Sequence, residues 1–146
     1  MAGLNRGVST VVGYVLNVGV ATILLSGLLL GGATLVENQE ERTVRAELDV
    51  VGNRLAADLE TADRLHRSAN GSVTIRSELP ERVAGSPYEV RLVGTASGAT
   101  IELSTETPAV SRRVPVANAT SIRETTVSGG DLVVEATPGG LEVTDG

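Results

Sequence analysis

From Val8 to Val36 no side chain carries a charge; Tyr14, the one ionisable group in that stretch, is neutral at physiological pH. The run covers 29 residues, whereas a helix needs roughly 20 to cross the hydrocarbon core of a bilayer. Wound as a helix it is about 43 Å long, more than a membrane requires. A chain of 146 residues has no interior large enough to surround such a helix, so the pattern predicts a membrane-inserted segment over residues 8–36. The only charged side chain in the first 36 residues is Arg6, placed just before the run begins.

Beyond Val36 the pattern changes but does not break. Val44, Leu48, Val51, Leu55, Leu59, Ala62 and Leu65 follow at spacings of 4, 3, 4, 4, 3 and 3, which keep one apolar stripe on one side of a helix. Glu40, Arg45, Asp49, Arg54 and Asp58 fill the remaining face, and i,i+4 pairs such as Glu41–Arg45 support it. No proline interrupts positions 1–79. The spacing therefore predicts one long helix, apolar all round over residues 8–36 and amphipathic over residues 37–67. Gly31-Gly32 and Gly52 are the points where it could bend.

After Asn70-Gly71 the period becomes two. The segments SVTIRSEL, YEVRLVG, ATIELST, DLVVEAT and LEVTD alternate aliphatic or β-branched residues with polar ones, as half-buried strands do. Gly85-Ser86-Pro87, Ser97-Gly98, Gly129-Gly130 and Pro138-Gly139-Gly140 supply turn signals between them. Five to seven short antiparallel strands follow, with a hairpin around Thr95 to Ala99. The region 68–146 is marginal in size for a core of its own, so the stripe on residues 44–65 is expected to cover one face of the sheet. The fold class predicted is α+β: a long N-terminal helix on a small antiparallel β-rich head.

Charge is distributed unevenly. All 18 acidic residues but only 11 of the 12 basic ones lie after Val36, giving that part a net charge of −7. Such a surface argues against nucleic acid as a partner, since binding there requires a basic stripe. Every basic residue is arginine, and Phe, Trp and Cys are absent. An acidic, lysine-free chain suits a salt-adapted cell, because salt screens the repulsion among its carboxylates; GC-rich coding gives the same preference for arginine. The absence of cysteine removes disulfides as staples.

The residues of an active site are missing. His66 is the only histidine, so neither a Ser-His-Asp arrangement nor a zinc site can be assembled convincingly. Near a helix C-terminus, His66 is expected at the surface, favoured by the helix dipole. The double glycines do not form a dinucleotide fingerprint, and without lysine there is no P-loop. The expectation is a protein that is not an enzyme and uses no cofactor and no metal. Two other features carry information. Asn70-Gly71-Ser72 and Asn118-Ala119-Thr120 are N-glycosylation sequons outside the predicted strands. Gly27 and Gly31 form a GxxxG pair, and Ser9 and Gly13 a second small-residue pair; such spacings let membrane helices approach closely.

Arg6-Gly7 followed by Val8-Ser9-Thr10-Val11-Val12-Gly13 resembles the class III signal of archaeal type IV pilins, especially those of halophilic archaea. In that family a basic and a small residue precede the cut, and the mature chain continues as a hydrophobic helix. The resemblance implies a leader over residues 1–7, with Arg6 and Gly7 as the recognition pair and Val8 as the first mature residue. Thr10 departs from the proline or glutamate often found there, and position 12 carries valine where bacterial members have glutamate. The motif-level match covers residues 4–36; a β-rich head over 68–146 is similar to the family in architecture alone. Gly13, Gly27 and Gly31 are then the helix-packing positions, and Asn70 and Asn118 the glycosylation sites.

The resemblance implies a pilin-like filament subunit whose partners are a prepilin peptidase, other pilin subunits, the membrane proteins of pilus assembly, and lipid. The alternative is a single-pass anchored or secreted surface protein that forms no filament. Gly31-Gly32-Ala33 offers a small-x-small cleavage site for an ordinary signal, but the 23 apolar residues before it exceed the usual length of about 7–15. Arg6 and the free amino terminus place the N-terminus in the cytoplasm by the positive-inside rule, and the acidic head outside.

Overall fold

The computed structural model describes residues 2–95 and 98–146. They form one helix and eight strands: α1 (Ala2–Ala69), β1 (Val73–Ser77), β2 (Arg82–Val83), β3 (Ser86–Thr95), β4 (Gly98–Glu106), β5 (Ala109–Val116), β6 (Thr125–Ser128), β7 (Leu132–Thr137) and β8 (Gly140–Asp145). The chain divides into two compact units, Met1–Gln39 and Glu40–Gly146. This is the α+β architecture expected, a long N-terminal helix packed against antiparallel sheets in a β-rich head. The helix begins before Val8 and ends two residues after Arg67. It runs uninterrupted through Gly31-Gly32 and Gly52.

In the second unit, helix residues Val44, Leu48, Val51, Leu55, Ala56, Leu59 and Ala62 are buried in one core with the inward residues of the strands. Leu48, Leu55 and Leu59 are fully buried, each stabilising the fold by about 1.5–3 kcal/mol relative to exposure. Leu65, expected to complete the stripe, is 45% exposed: one turn before the helix ends it has passed the edge of the core. Gly52 has a role the spacing did not show. It is a point of close approach, because a Cβ there would lie 2.7 Å from Val114 Cγ2 and 2.8 Å from Leu103 Cδ1. Glycine at that position lets the helix backbone settle onto β4 and β5.

The strands form two antiparallel groups. β1, β7 and β8 make a three-stranded sheet in the order β1-β7-β8; β2-β3-β4-β5 form the second, with β6 also pairing β3. In β3 the alternation puts Tyr88, Val90 and Leu92 inside, and in β4 it does the same for Ala99, Ile101 and Leu103. Their ladder runs from Tyr88↔Thr105 to Thr95↔Gly98; Ser97 of the expected turn lies outside the described residues. An isolated parallel bridge joins Ile122 to Leu141.

All five segments read from the alternation are strands, but eight strands exceed the five to seven expected. β5, in the sequence AVSRRVPV, was hidden because Arg112-Arg113 breaks the alternation and Pro115 argues against a strand. Its position at the sheet edge, paired only with β4, tolerates the missing N–H. β6 has one buried residue, Val127, and β2 only two residues, too few for a periodic signal.

Some acidic residues beside the stripe make tertiary contacts rather than simply facing water. Asp49 pairs with Arg112 at 2.6 Å, and Ser77 donates to Asp58 at 2.6 Å. The predicted pair Glu41–Arg45 is present at 3.9 Å with both side chains nearly half exposed, a geometry that contributes little.

Candidate membrane segment and processing site

Between Val8 and Val36 the large apolar side chains of the first unit are 47–73% exposed. Among the described residues α1 is the one helix long and apolar enough to cross a membrane, and the window that qualifies it is 0% buried. It is a candidate single membrane span.

Arg6, Gly7 and Val8 are exposed and lie within α1, so the Gly7–Val8 peptide is part of a hydrogen-bonded backbone. The Thr10 hydroxyl adds a bond to the Arg6 carbonyl at 2.9 Å. A peptidase acting there must unwind the first turns. Gly7 eases this, since glycine weakens a helix by roughly 1 kcal/mol relative to alanine, and an added Cβ at that position would meet nothing within 4 Å.

Around Gly13, Gly27 and Gly31 nothing lies within 4 Å of an added Cβ, so these positions are open to lipid or to a second helix. Thr22, Ser26 and Thr34 donate to the carbonyls of Val18, Thr22 and Leu30 at 2.8, 2.9 and 3.2 Å. Satisfied within their own helix, those hydroxyls are compatible with hydrocarbon.

In the second unit the two sequons sit differently. Asn70 follows the helix in the left-handed region, φ 51°, where asparagine often ends a helix. It is exposed, and its N–H donates to the His66 carbonyl at 3.1 Å. His66 is half-buried rather than at the open surface. Its Nδ1 lies 2.6 Å from the Gly71 carbonyl, so it donates there as the Nδ1–H form. Asn118 is half-buried: Nδ2 donates to the Thr120 carbonyl at 2.6 Å, and Oδ1 is buried without a partner.

The loop carrying Asn118 is tied to α1 by two carboxylates. Glu60 accepts from the Ala117 N–H at 3.2 Å; Asp63 accepts from Ala119 at 3.2 Å and Thr120 at 2.9 Å. Asp63 is 1% exposed and also receives the Arg67 guanidinium at 3.2 Å. Burial pushes its carboxyl pKa up, but the Thr120 side chain, the two loop amides and Arg67 outweigh this and hold it below the ordinary 3.8. Sequence reasoning missed this residue. The available signal was its position next to Ala62 and four residues after Leu59, at the margin of the buried stripe.

The head also has shallow clefts. One of about 370 Å³ is lined by Glu81, Pro87, Tyr88, Glu89 and Glu106 among others. Burial pushes the Tyr88 phenol up, a backbone hydrogen bond from Gly130 opposing it, and its hydroxyl donates to the Pro80 carbonyl at 2.7 Å. Among the described residues no group of three or more His, Asp or Glu is placed to hold a metal ion.

Over residues 3–144 the chain matches the family described as a family of unknown function, DUF7266, and belongs to it. No curated protein and no solved structure matches it.

Proposed function

We propose that the chain is a type IV pilin-like subunit. In this reading the helix over residues 8–36 first spans the membrane, with the N-terminus cytoplasmic and the head outside. A membrane-embedded aspartyl peptidase of the prepilin type cuts between Gly7 and Val8. The helix then exchanges lipid for the helices of neighbouring subunits in a surface filament. Its work is packing rather than catalysis, and assembly requires membrane proteins of the pilus machinery.

One observation carries the reading: a lone arginine and a glycine stand immediately before 29 residues without charge, whose apolar side chains find no cover within the described residues. A charge there holds the segment's start at the interface, because carrying it into lipid costs roughly 2.5–3.5 kcal/mol on translocon scales. Cutting after Gly7 removes that charge and leaves the apolar helix whole, as a filament core requires. Asn70, exposed at the end of the helix, is the more accessible glycosylation site in this reading.

The intact mass of the protein isolated from its own cells, with glycans released, is the test. A mature chain beginning at Val8 is expected. One beginning at Met1 or Ala2 leaves a permanent anchor, and one beginning at Thr34 leaves a secreted head; either result overturns the pilin reading.

A further inference from the structure

Within the apolar run each polar side chain beyond the first two turns is satisfied by its own helix, with one exception. Thr22, Ser26 and Thr34 bond to carbonyls four residues back. Asn17 is exposed, and among the described residues its amide has no hydrogen-bond partner. It lies nine residues after Val8, about 14 Å along the helix, close to the midplane of a hydrocarbon core about 30 Å thick. Ser9 and Tyr14 lie nearer the start, and helix side chains lean toward the N-terminus, so the watery interface can serve both.

Asn17 cannot be satisfied within its own helix. Asn53 shows the best a helix offers: its Nδ2 donates to the Asp49 carbonyl four residues back, at 2.7 Å. The same bond from Asn17 to Gly13 would use one N–H but leave the amide oxygen without a donor, since every mid-helix backbone N–H is already engaged. An amide oxygen without a partner in hydrocarbon is costly. The donor must come from outside the helix.

We infer that Asn17 pairs with Asn17 of a second copy of this chain in the membrane, setting a parallel, in-register helix pair. An identical chain inserted in the same orientation presents the same amide at the same depth. Each Oδ1 can then accept from the other's Nδ2, whereas an unrelated helix would have to match that depth by coincidence. Of the residues one turn above and below Asn17, Gly13 and Ala21 are small and Tyr14 and Val20 flank them on the other side of the face, so the two backbones can come close along the Gly13–Ala21 side, where the amides meet. The inference rests on the membrane placement of residues 8–36 in the proposed function, but not on filament formation.

The chain has no cysteine, so single cysteines report on the pair directly. Ala21→Cys, one turn from Asn17 on the same face, should form a disulfide-linked homodimer when membranes are oxidised; Val15→Cys, on the opposite face, should not. Adding Asn17→Leu to Ala21→Cys should weaken association by about three- to thirtyfold, the range for amide contacts between membrane helices. Asn17→Gln should retain most of it. Alkaline carbonate should leave every variant in the membrane. Equal cross-linking with and without Asn17→Leu, equal cross-linking at both cysteines, or cross-links only to another protein would overturn the pairing. Release of the parent chain by carbonate would overturn the membrane placement and the pairing with it.

Discussion

Asp63 offers the sharpest test of how the head is held together. Its carboxylate is buried and accepts the Ala119 and Thr120 amides and the Arg67 guanidinium. A hydrogen bond to a charged group contributes about 1.5–3 kcal/mol, but Arg67 is more than half exposed and adds little. Truncating Asp63 to alanine therefore removes two strong bonds, whose amides recover part of the loss from water because Ala119 is exposed and Thr120 half-buried. The expected loss is about 2–4 kcal/mol, a fall in Tm of roughly 8–15 °C for a unit of this size. Asp63→Asn has the same shape but points an NH2 group at one of the carboxylate's donors, and should lose about half as much. The pH dependence follows from the lowered pKa. Above 3.8 the carboxyl is ionised in both states and its stabilisation is fully present. Below that the unfolded chain takes up the proton first, so stability is lost as the pH falls through the lower folded-state value. The slope is at most about 1.4 kcal/mol per pH unit for one proton. Thermal unfolding of the full chain in detergent, followed by far-UV circular dichroism from pH 7 to pH 2.5 at constant salt, measures both effects. Asp63→Asn should flatten the acid limb. Wild-type stability in that variant, with an unchanged acid limb, would refute the idea that this carboxylate pins the loop.

Two further outcomes are checked in the same assay. Leu55→Ala should cost about 2–5 kcal/mol, because the side chain is fully buried among helix and strand residues, whereas Leu65→Ala should stay within about 0.5 kcal/mol. Lowering salt should lower the head's unfolding midpoint, since the net charge of −7 after Val36 is then less screened; a midpoint independent of salt would remove the argument for a salt-adapted host.

Periodicity made most of this fold legible. Six of the seven stripe residues are buried and all five alternating segments are strands, because a two-sided environment leaves a repeat in the sequence. What the sequence hid lacked such a repeat. β5 carries paired arginines of which one, Arg112, turns inward to reach Asp49, and the other faces outward to Glu102. That division depends on a helix 63 residues away in the chain. Asp63 was hidden for the opposite reason: a carboxylate on an amphipathic helix normally means solvent, and only the loop arriving from residues 117–120 makes its burial tolerable. At the candidate processing site, charge contrast singled out Arg6, while Gly7 and Val8 took their expected roles from the resemblance to pilins; the structure adds that the peptide bonds of all three lie inside a helix.

The glycines of α1 show why spacing alone could not assign their roles. Gly52 and Gly27 look alike in sequence, single glycines in a helical run, and both were first open to a general reading: a bend for one, an association face for the other. At Gly52 the structure supplies the neighbour, with Leu103 and Val114 packed where a side chain would begin, so the glycine marks a contact already made within the chain. At Gly13, Gly27 and Gly31 no neighbour lies within 4 Å. In lipid such positions gain nothing over alanine or leucine, which pack against acyl chains equally well and favour the helix more. Their use there depends on another helix coming close. Asn17 gives that need an energetic reason, because its amide requires a donor from outside its own helix. The head thus satisfies its close-packing glycine internally, while the small positions of the apolar segment have open space around them, which under the proposed membrane placement a second copy of the chain would fill.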